Sequence, residues 1–321
     1  RDLHNSKHSF PTRRSSDLGT SAARPTARRG LSCVGVRAHQ DRLLIDCGEG
    51  SQRQMLIYET GFRIDMVLFT HFHADHFLGI VGYLRTLAMM EHELPVTLYG
   101  PAEDIETLLR PAIFLGYRKA MPYPLHFVPL SAGDVIERPG YRIRVVAVEH
   151  GRPAVGYVFE EPPRPGRFDV NAARRLGVPV GPLFGRLQRG EAVTLPDGRC
   201  VRPEDVVGPT RPGRKMAFSG DTRPCDAFAE AAADADVLVH ESTFARDEQE
   251  RAELTSHSTA AEAGAVAQRA GAHRLILTHI SGRHDQDPDP LAAQARQAFG
   301  GPVSIAEDGL TVTVPVRDAA V

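Results

Sequence analysis

Apolar residues recur along this chain with two periods, one of about two residues and one of about 3.6, and the periods alternate. Residues 31–36 and 42–46 predict a hairpin. Its second strand runs into Asp46-Cys47-Gly48-Glu49-Gly50, where glycines permit a tight turn. Residues 51–58 predict a helix and 65–70 a buried strand. Residues 77–90 predict a helix, with apolar positions at Leu78, Val81, Leu84, Leu87 and Ala88. Strands follow at 96–99, 125–130, 135–137, 141–148 and 155–160, with a helix at 102–109. Later strands at 215–219, 237–240, 274–278, 303–306 and 310–314 interleave with helices at 227–235, 258–270 and 291–299. Strand and helix alternate in both halves. The class is therefore α/β, and the expected architecture is two sheets packed face to face with helices outside, an αββα sandwich.

Residues 162–215 break this rhythm. They are rich in Pro and Gly, and hold 11 Arg and Lys against 5 Asp and Glu, while the whole chain carries −2. Such a stretch is either a solvated, extended insertion or a basic arm that touches a polyanion. The near-neutral total excludes a global basic field, so attraction to a nucleic acid would be local. The 321 residues are 42% hydrophobic and 24% charged, an ordinary globular composition. Cys33, Cys47, Cys200 and Cys225 are scattered without a C-x-x-C, which fits thiols in a reducing compartment. No apolar run approaches the ~18–20 residues of a membrane span. The expectation is a cytoplasmic protein with no membrane association.

The N-terminus reads either as a natural basic, Ser-rich leader or as a segment of foreign origin, and its sequence favours the second. Residues 8–18, His-Ser-Phe-Pro-Thr-Arg-Arg-Ser-Ser-Asp-Leu, are the translation in one frame of a widely used sequencing adapter. Residues 1–17 are accordingly set aside as adapter-derived, 18–316 taken as the folded domain, and 317–321 as a tail. On that reading the first strand of the sheet is missing and a neighbouring strand edge is exposed.

The chemistry concentrates in Thr70-His71-Phe72-His73-Ala74-Asp75-His76. Three histidines and an aspartate within six residues exceed what packing requires, and they sit where a strand turns into a helix. His71 and His73 project the same way and can grip one ion. Asp75 and His76 are displaced enough to grip a second. Neutral imidazole and carboxylate suit zinc at about 2.0–2.2 Å. His150, Asp221 and His279 each follow a predicted strand, so they can reach the same cleft, and Asp221 is suited to bridge two ions about 3.5–4 Å apart. His240 also ends a strand and is a candidate proton donor, oriented by Glu241. His257 precedes a helix that Ser258 can cap. His39, His92, His126, His273 and His284 have no motif around them and are expected at the surface or in packing.

These residues resemble a family, the short-form tRNA 3′-processing endonucleases (ribonuclease Z) of the metallo-β-lactamase superfamily. The histidine motif is common to the superfamily. Asp46-Cys47-Gly48-Glu49-Gly50-Ser51-Gln52 resembles the family's Asp-x-Gly-Glu-x-x-Gln segment, His240-Glu241-Ser242-Thr243 its His-Glu-Ala/Ser-Thr loop, and His257-Ser258-Thr259 its second histidine loop. The insertion, with Gly181-Pro182, resembles the flexible arm that grips the tRNA elbow. The resemblance implies two zinc ions per chain, one held by His71, His73, His150 and Asp221, the other by Asp75, His76, Asp221 and His279. It implies Asp75 as proton acceptor, and His240 and His257 near the cleaved phosphate. It further implies precursor tRNA as substrate, cut after the discriminator nucleotide, and a homodimer. The family's basic N-terminal loop reads here Pro25-Thr26-Ala27-Arg28-Arg29-Gly30, so Arg28 and Arg29 are candidate substrate contacts, with Gly30 where Asn is expected. Two rivals share the site. A small-molecule metallohydrolase, an arylsulfatase or phosphodiesterase, has no use for a basic arm; a scaffolding protein with a vestigial site need not keep seven ligands.

Overall fold

The computed structural model describes residues 13–115 and 121–317. Its strands, in chain order, are β1 (Arg13–Gly19), β2 (Cys33–Ala38), β3 (Asp41–Ile45), β4 (Met66–Leu68), β5 (Val96–Pro101), β6 (Leu125–Leu130), β7 (Val135–Arg138), β8 (Tyr141–Ala147), β9 (Val155–Glu160), β10 (Val193–Thr194), β11 (Cys200–Val201), β12 (Lys215–Phe218), β13 (Val237–Glu241), β14 (Leu275–Thr278), β15 (Val303–Ile305) and β16 (Thr311–Val314). One seven-stranded sheet runs β16-β1-β2-β3-β4-β5-β6, and the other β15-β14-β13-β12-β9-β8-β7.

Three apolar layers hold this unit together. Leu43, Leu68, Tyr157, Phe159, Met216, Val239 and Ile276 fill the space between the sheets. On the outer face of the first sheet, Leu44, Val67 and Leu98 pack on Ile80, Tyr83, Leu84 and Leu87 of the helix Gly79–Met89. On the outer face of the second, Leu238 and Leu275 pack on Phe228, Val266 and Leu291. Adjacent residues such as Val67 and Leu68 thus serve opposite layers, as the two-residue strand period requires. The expected αββα sandwich is what forms. In each sheet the neighbours β3, β4, β5, β6 and β12, β13, β14, β15 are parallel. Their carboxyl ends therefore emerge on one edge, where loops carry the site.

The expected gap at the first strand is not there. β1 occupies that place, pairing antiparallel with β2 and β16, and it includes residues 13–17. Ladder bonds use backbone groups, so a polar segment can take the position. Its side chains fit less well. Ser15 and Asp17 stand opposite Val36 and Val34, facing the layer between the sheets, and both are buried. Burial, with Asp308 nearby, pushes the Asp17 carboxyl up from an ordinary 3.8 to about 7.

Residues Glu161–Arg214, with Val316 and Arg317 among the described residues, form a second compact unit. It is not an extended insertion. Ala173, Val178, Leu187, Val193, Leu195, Val201 and Val206 make a small core of its own, between the helices Val170–Arg175 and Pro182–Gln188 and the β10–β11 hairpin. Asp169 caps the first helix by accepting from the Ala172 N–H at 2.9 Å. Arg214 and Glu161 close its base at 2.6 Å, both side chains buried. Among the described residues, no helix is long and apolar enough to cross a membrane.

Asp17 makes stability depend on pH. Its folded-state proton affinity exceeds the unfolded one, so the stability present below about pH 4 is lost as pH rises towards 7. A rise from 3.8 to about 7 corresponds to at most ~4 kcal/mol. Asp17→Val is expected to raise the melting temperature by several degrees at pH 8, and by less at pH 5. Calorimetry showing the same difference at both pH values would contradict this account of the strand.

Candidate metal centre and active site

β4 ends at Leu68, and the next residues deliver the histidine motif into the open edge. His73 has an extended backbone, and the short helix Ala74–Phe77 begins immediately after it. That change of direction splits the motif. His71 and His73 approach His150 and Asp221, with one ligand atom from each within 4.8 Å of all the others. Asp75 and His76 turn the other way and approach His279 within the same limit. Asp221, in the turn after β12, joins the groups: its Oδ2 lies 3.6 Å from His71 Nε2, 3.3 Å from His76 Nε2 and 3.4 Å from His279 Nε2. All seven expected ligands therefore converge.

The donor chemistry fits cations. His71 Nε2 and His73 Nδ1 are 2.9 Å apart, His150 Nε2 and His73 Nδ1 3.2 Å, and the Nε2 atoms of His76 and His279 3.3 Å. Ring nitrogens brought this close without a cation set lone pair against lone pair or need a proton between them. The far nitrogens are already engaged. His76 Nδ1 donates to Asp46 at 2.7 Å, and His150 Nδ1 to the Ser256 carbonyl at 2.9 Å. His279 Nδ1 lies 2.9 Å from Thr243 Oγ1, and His71 Nδ1 3.1 Å from Thr70 Oγ1. Such outer partners orient imidazoles and settle which nitrogen faces a metal. Asp46 is the principal one: buried in the turn after β3, it also accepts from the Thr70 N–H at 2.8 Å and tethers the start of the motif.

The charges follow from burial. Burial pushes the His71 imidazole well down and, with His150 and Arg152 nearby, His73 to about 4; His150 is also lowered by burial. These rings are neutral, as metal ligation requires. Burial acts against the charged forms of Asp221 and His76 too. Even so, His279 and His76 hold the Asp221 carboxyl well below its ordinary value, and Asp221 and Asp46 hold His76 above its own. Asp75, beside His279 and His76, stays ionised despite its burial, and its Oδ2 accepts the Ala23 N–H at 2.9 Å.

The expectation that His240 donates a proton, oriented by Glu241, is overturned. Along β13, Val237 and Val239 face the layer between the sheets and Leu238 the outer helices. The same alternation sends Glu241 into the site and His240 away from it. His240 is fully buried, 6.0 Å from the Phe228 ring, with Nδ1 donating to the Glu241 carbonyl and Nε2 without a partner. Glu241 instead orients His257, whose Nδ1 donates to it at 2.8 Å. The His257 ring stacks on His279 at 5.3 Å between centroids. Burial opposes its charge, but the Glu241 carboxylate lifts it to about 9, so His257 holds a proton at neutral pH.

Arg29 is also not a substrate contact. Its side chain is 5% exposed, ion-paired with Asp285 at 3.5 Å, and donates to Thr20 at 2.7 Å and to the Ala306 carbonyl. It braces the loop from which Arg28 projects into solvent. Gly181 and Pro182 are exposed at the start of the second arm helix. Asp46, Thr243 and Ser256 support the ligands without an individual role expected of them, and Glu241 orients a different histidine from the one expected. An acid at the end of an apolar strand was the available signal for Asp46 and Glu241.

A beta-lactamase superfamily domain matches residues 41–168 and 201–280. The chain is thus a hydrolase of that superfamily. Ribonuclease Z of Myxococcus xanthus (strain DK1622) is 58% identical over 301 residues, covering 94% of this chain and 97% of that one. Ribonuclease Z of Natronomonas pharaonis is 46% identical over 305 residues, covering 94% and 97%. Human tRNase Z, short form, shares the fold with a TM-score of 0.65 at 23% identity, over 94% of this chain and all of that one. The chain belongs to the ribonuclease Z family, and it is an enzyme, an endoribonuclease.

The two histidine loops separate cleanly by substitution. His257→Ala is expected to lower kcat by about 10²–10⁴-fold. His240→Leu, which removes an orphaned buried nitrogen, keeps kcat within about threefold of wild type. Steady-state cleavage of RNA by the two variants decides; a severe loss in His240→Leu with unchanged stability would restore His240 to the site.

Proposed function

We propose that this chain is a zinc-dependent endonuclease that removes the 3′ trailer of precursor tRNA. It cuts after the discriminator nucleotide and leaves a tRNA 3′-hydroxyl and a trailer 5′-phosphate. The observation that carries this reading is the convergence of seven ligands in a chain 58% identical to a ribonuclease Z. His71, His73, His150 and Asp221 would hold one ion, and Asp75, His76, Asp221 and His279 the other. A dinuclear centre of this kind lowers the pKa of water and stabilises both the attacking and the leaving oxygens of an in-line displacement.

The chain's own groups do the rest. Asp75, ionised and held by the Ala23 N–H, accepts the proton of the attacking water. As the bond from phosphorus to O3′ breaks, its electron pair goes to O3′, which takes the proton of His257 Nε2. Glu241 accepts from His257 Nδ1, orients the ring and favours its doubly protonated form, in which Nε2 has a proton to give. Water's oxygen remains on the trailer phosphate.

The arm supplies recognition in this reading. Arg174 and Arg175 are exposed in the last turn of a helix, with no carboxylate partner among the described residues, whereas Arg186, Arg189, Arg199 and Arg202 are paired within the arm. Guanidinium groups of this kind read RNA shape and backbone, not sequence. A cytoplasmic homodimer completes the proposal; light scattering in solution tests the dimer.

A trailer-bearing precursor tRNA should be cut once, after the discriminator, and chelation should abolish the cut. Arg174→Ala with Arg175→Ala should weaken binding of all precursors alike and reduce the slope of log K against log salt by about 1–2. Deleting 162–214 should abolish precursor cleavage and spare turnover of a small phosphodiester. Equal loss of both activities would remove the arm from recognition, and retained precursor cleavage would favour the small-molecule hydrolase with an idle arm.

A further inference from the structure

One arginine ties together three loops that bear on the site, and no step described so far uses it. Arg223 lies two residues after Asp221. Its backbone N–H donates to the Glu149 carbonyl at 2.7 Å, next to His150. Its Nη1 donates to the His257 carbonyl at 2.5 Å and to Glu262 at 2.9 Å, and its Nη2 donates to the other Glu262 oxygen. Glu262 is itself held in place: it accepts from the Thr259 N–H at 2.9 Å and from the Gln249 amide at 2.8 Å. Thr259 and Glu262 form the capping box of the helix Ala260–Ala270. Both partners of the ion pair are about four-fifths buried, with side chains 19% and 20% exposed.

His257 stands on a loop 34 residues from Arg223 in sequence, and Asp221 on another. Chain connectivity therefore does not set the distance between the imidazole and the ligand cluster. Glu241 holds the ring at Nδ1, and the guanidinium holds the backbone: two N–H groups lock onto an anchored carboxylate, and the same plane reaches the carbonyl of the histidine itself. Lysine has no fork to make both contacts at once.

We propose that Arg223 is a positioning residue for the hydrolysis, holding His257 through its backbone carbonyl at the place from which Nε2 protonates the leaving oxygen. The assignment rests on His257 as the proton donor, as argued above. Arg223 touches neither substrate nor metal in this role. It limits the excursions of the ring from a geometry that proton transfer demands.

The test uses precursor tRNA with either oxygen or sulfur as the 3′-bridging atom of the scissile bond. A thiolate leaves without a proton, so defects in proton donation disappear on the sulfur substrate. Arg223→Gln is expected to lower kcat on the oxygen substrate by about 10–100-fold, with KM within about threefold. Metal content measured by mass spectrometry stays at the wild-type value. The loss shrinks at least tenfold on the sulfur substrate, and Arg223→Lys recovers only part of it. In a His257→Ala background, Arg223→Gln costs no more than about twofold further, because both act on one proton.

Equal loss on the two substrates, or losses that multiply in the double variant, would overturn the assignment of Arg223 while leaving His257 as donor. If His257→Ala alone lost equally on oxygen and sulfur, the donor reading would fall, and the role of Arg223 with it.

Discussion

A carboxylate buried from water must be compensated by its surroundings, and Asp221 is surrounded by imidazoles brought from separate strand ends. His71 arrives from β4, His279 from β14 and His76 from the helical turn beyond the motif. None of these contacts is local in sequence. They exist because parallel strands in both sheets end on one edge, and because the layer between the sheets fixes those ends against each other. The convergence is also strained in charge. Five imidazoles and two carboxylates share one cleft, and a cation resolves the lone-pair contacts that the fold imposes. Folding thus sets up affinity for metal in advance.

The supporting residues keep that arrangement from relaxing. Asp46 fixes the start of the motif and the His76 ring together. Glu241 accepts from the Thr222 N–H at 3.0 Å and from Thr243 Oγ1 at 2.8 Å, so the acid that orients His257 also braces the turn of Asp221 and the partner of His279. A change at Glu241 would therefore be felt in two places, in the orientation of His257 and in ligand geometry.

Much of this is legible in the sequence. The ligand motif is contiguous, and its neighbours have clear strand and helix periods, so His71, His73, Asp75 and His76 could be placed on a turn. His150, Asp221 and His279 were legible as polar residues closing apolar strands. What failed was the choice within His240-Glu241. β13 is buried on both faces, so hydrophobicity does not reveal which of two adjacent residues faces inwards. Arg29 failed for a related reason: its partners at Thr20, Asp285 and Ala306 are distant in sequence, and a basic loop residue looks the same whether it is buried or free. The arm's core was hidden because its apolar residues are spread singly between turns. β1 was missed because residues 1–17 were set aside as adapter-derived and its inward positions Ser15 and Asp17 carry no apolar pattern; backbone pairing and the buried Leu18 make it a strand.

The most direct test of the account is the metal content of wild-type protein and of Asp221→Asn, both confirmed as folded and equilibrated with limiting zinc. The variant keeps the shape of the side chain and removes its charge. The account predicts two ions per wild-type chain and the loss of at least one, with weakened retention of the other, in Asp221→Asn. Two ions held with unchanged affinity by the variant, or none held by the wild type, would contradict the claim that this carboxylate organises the centre.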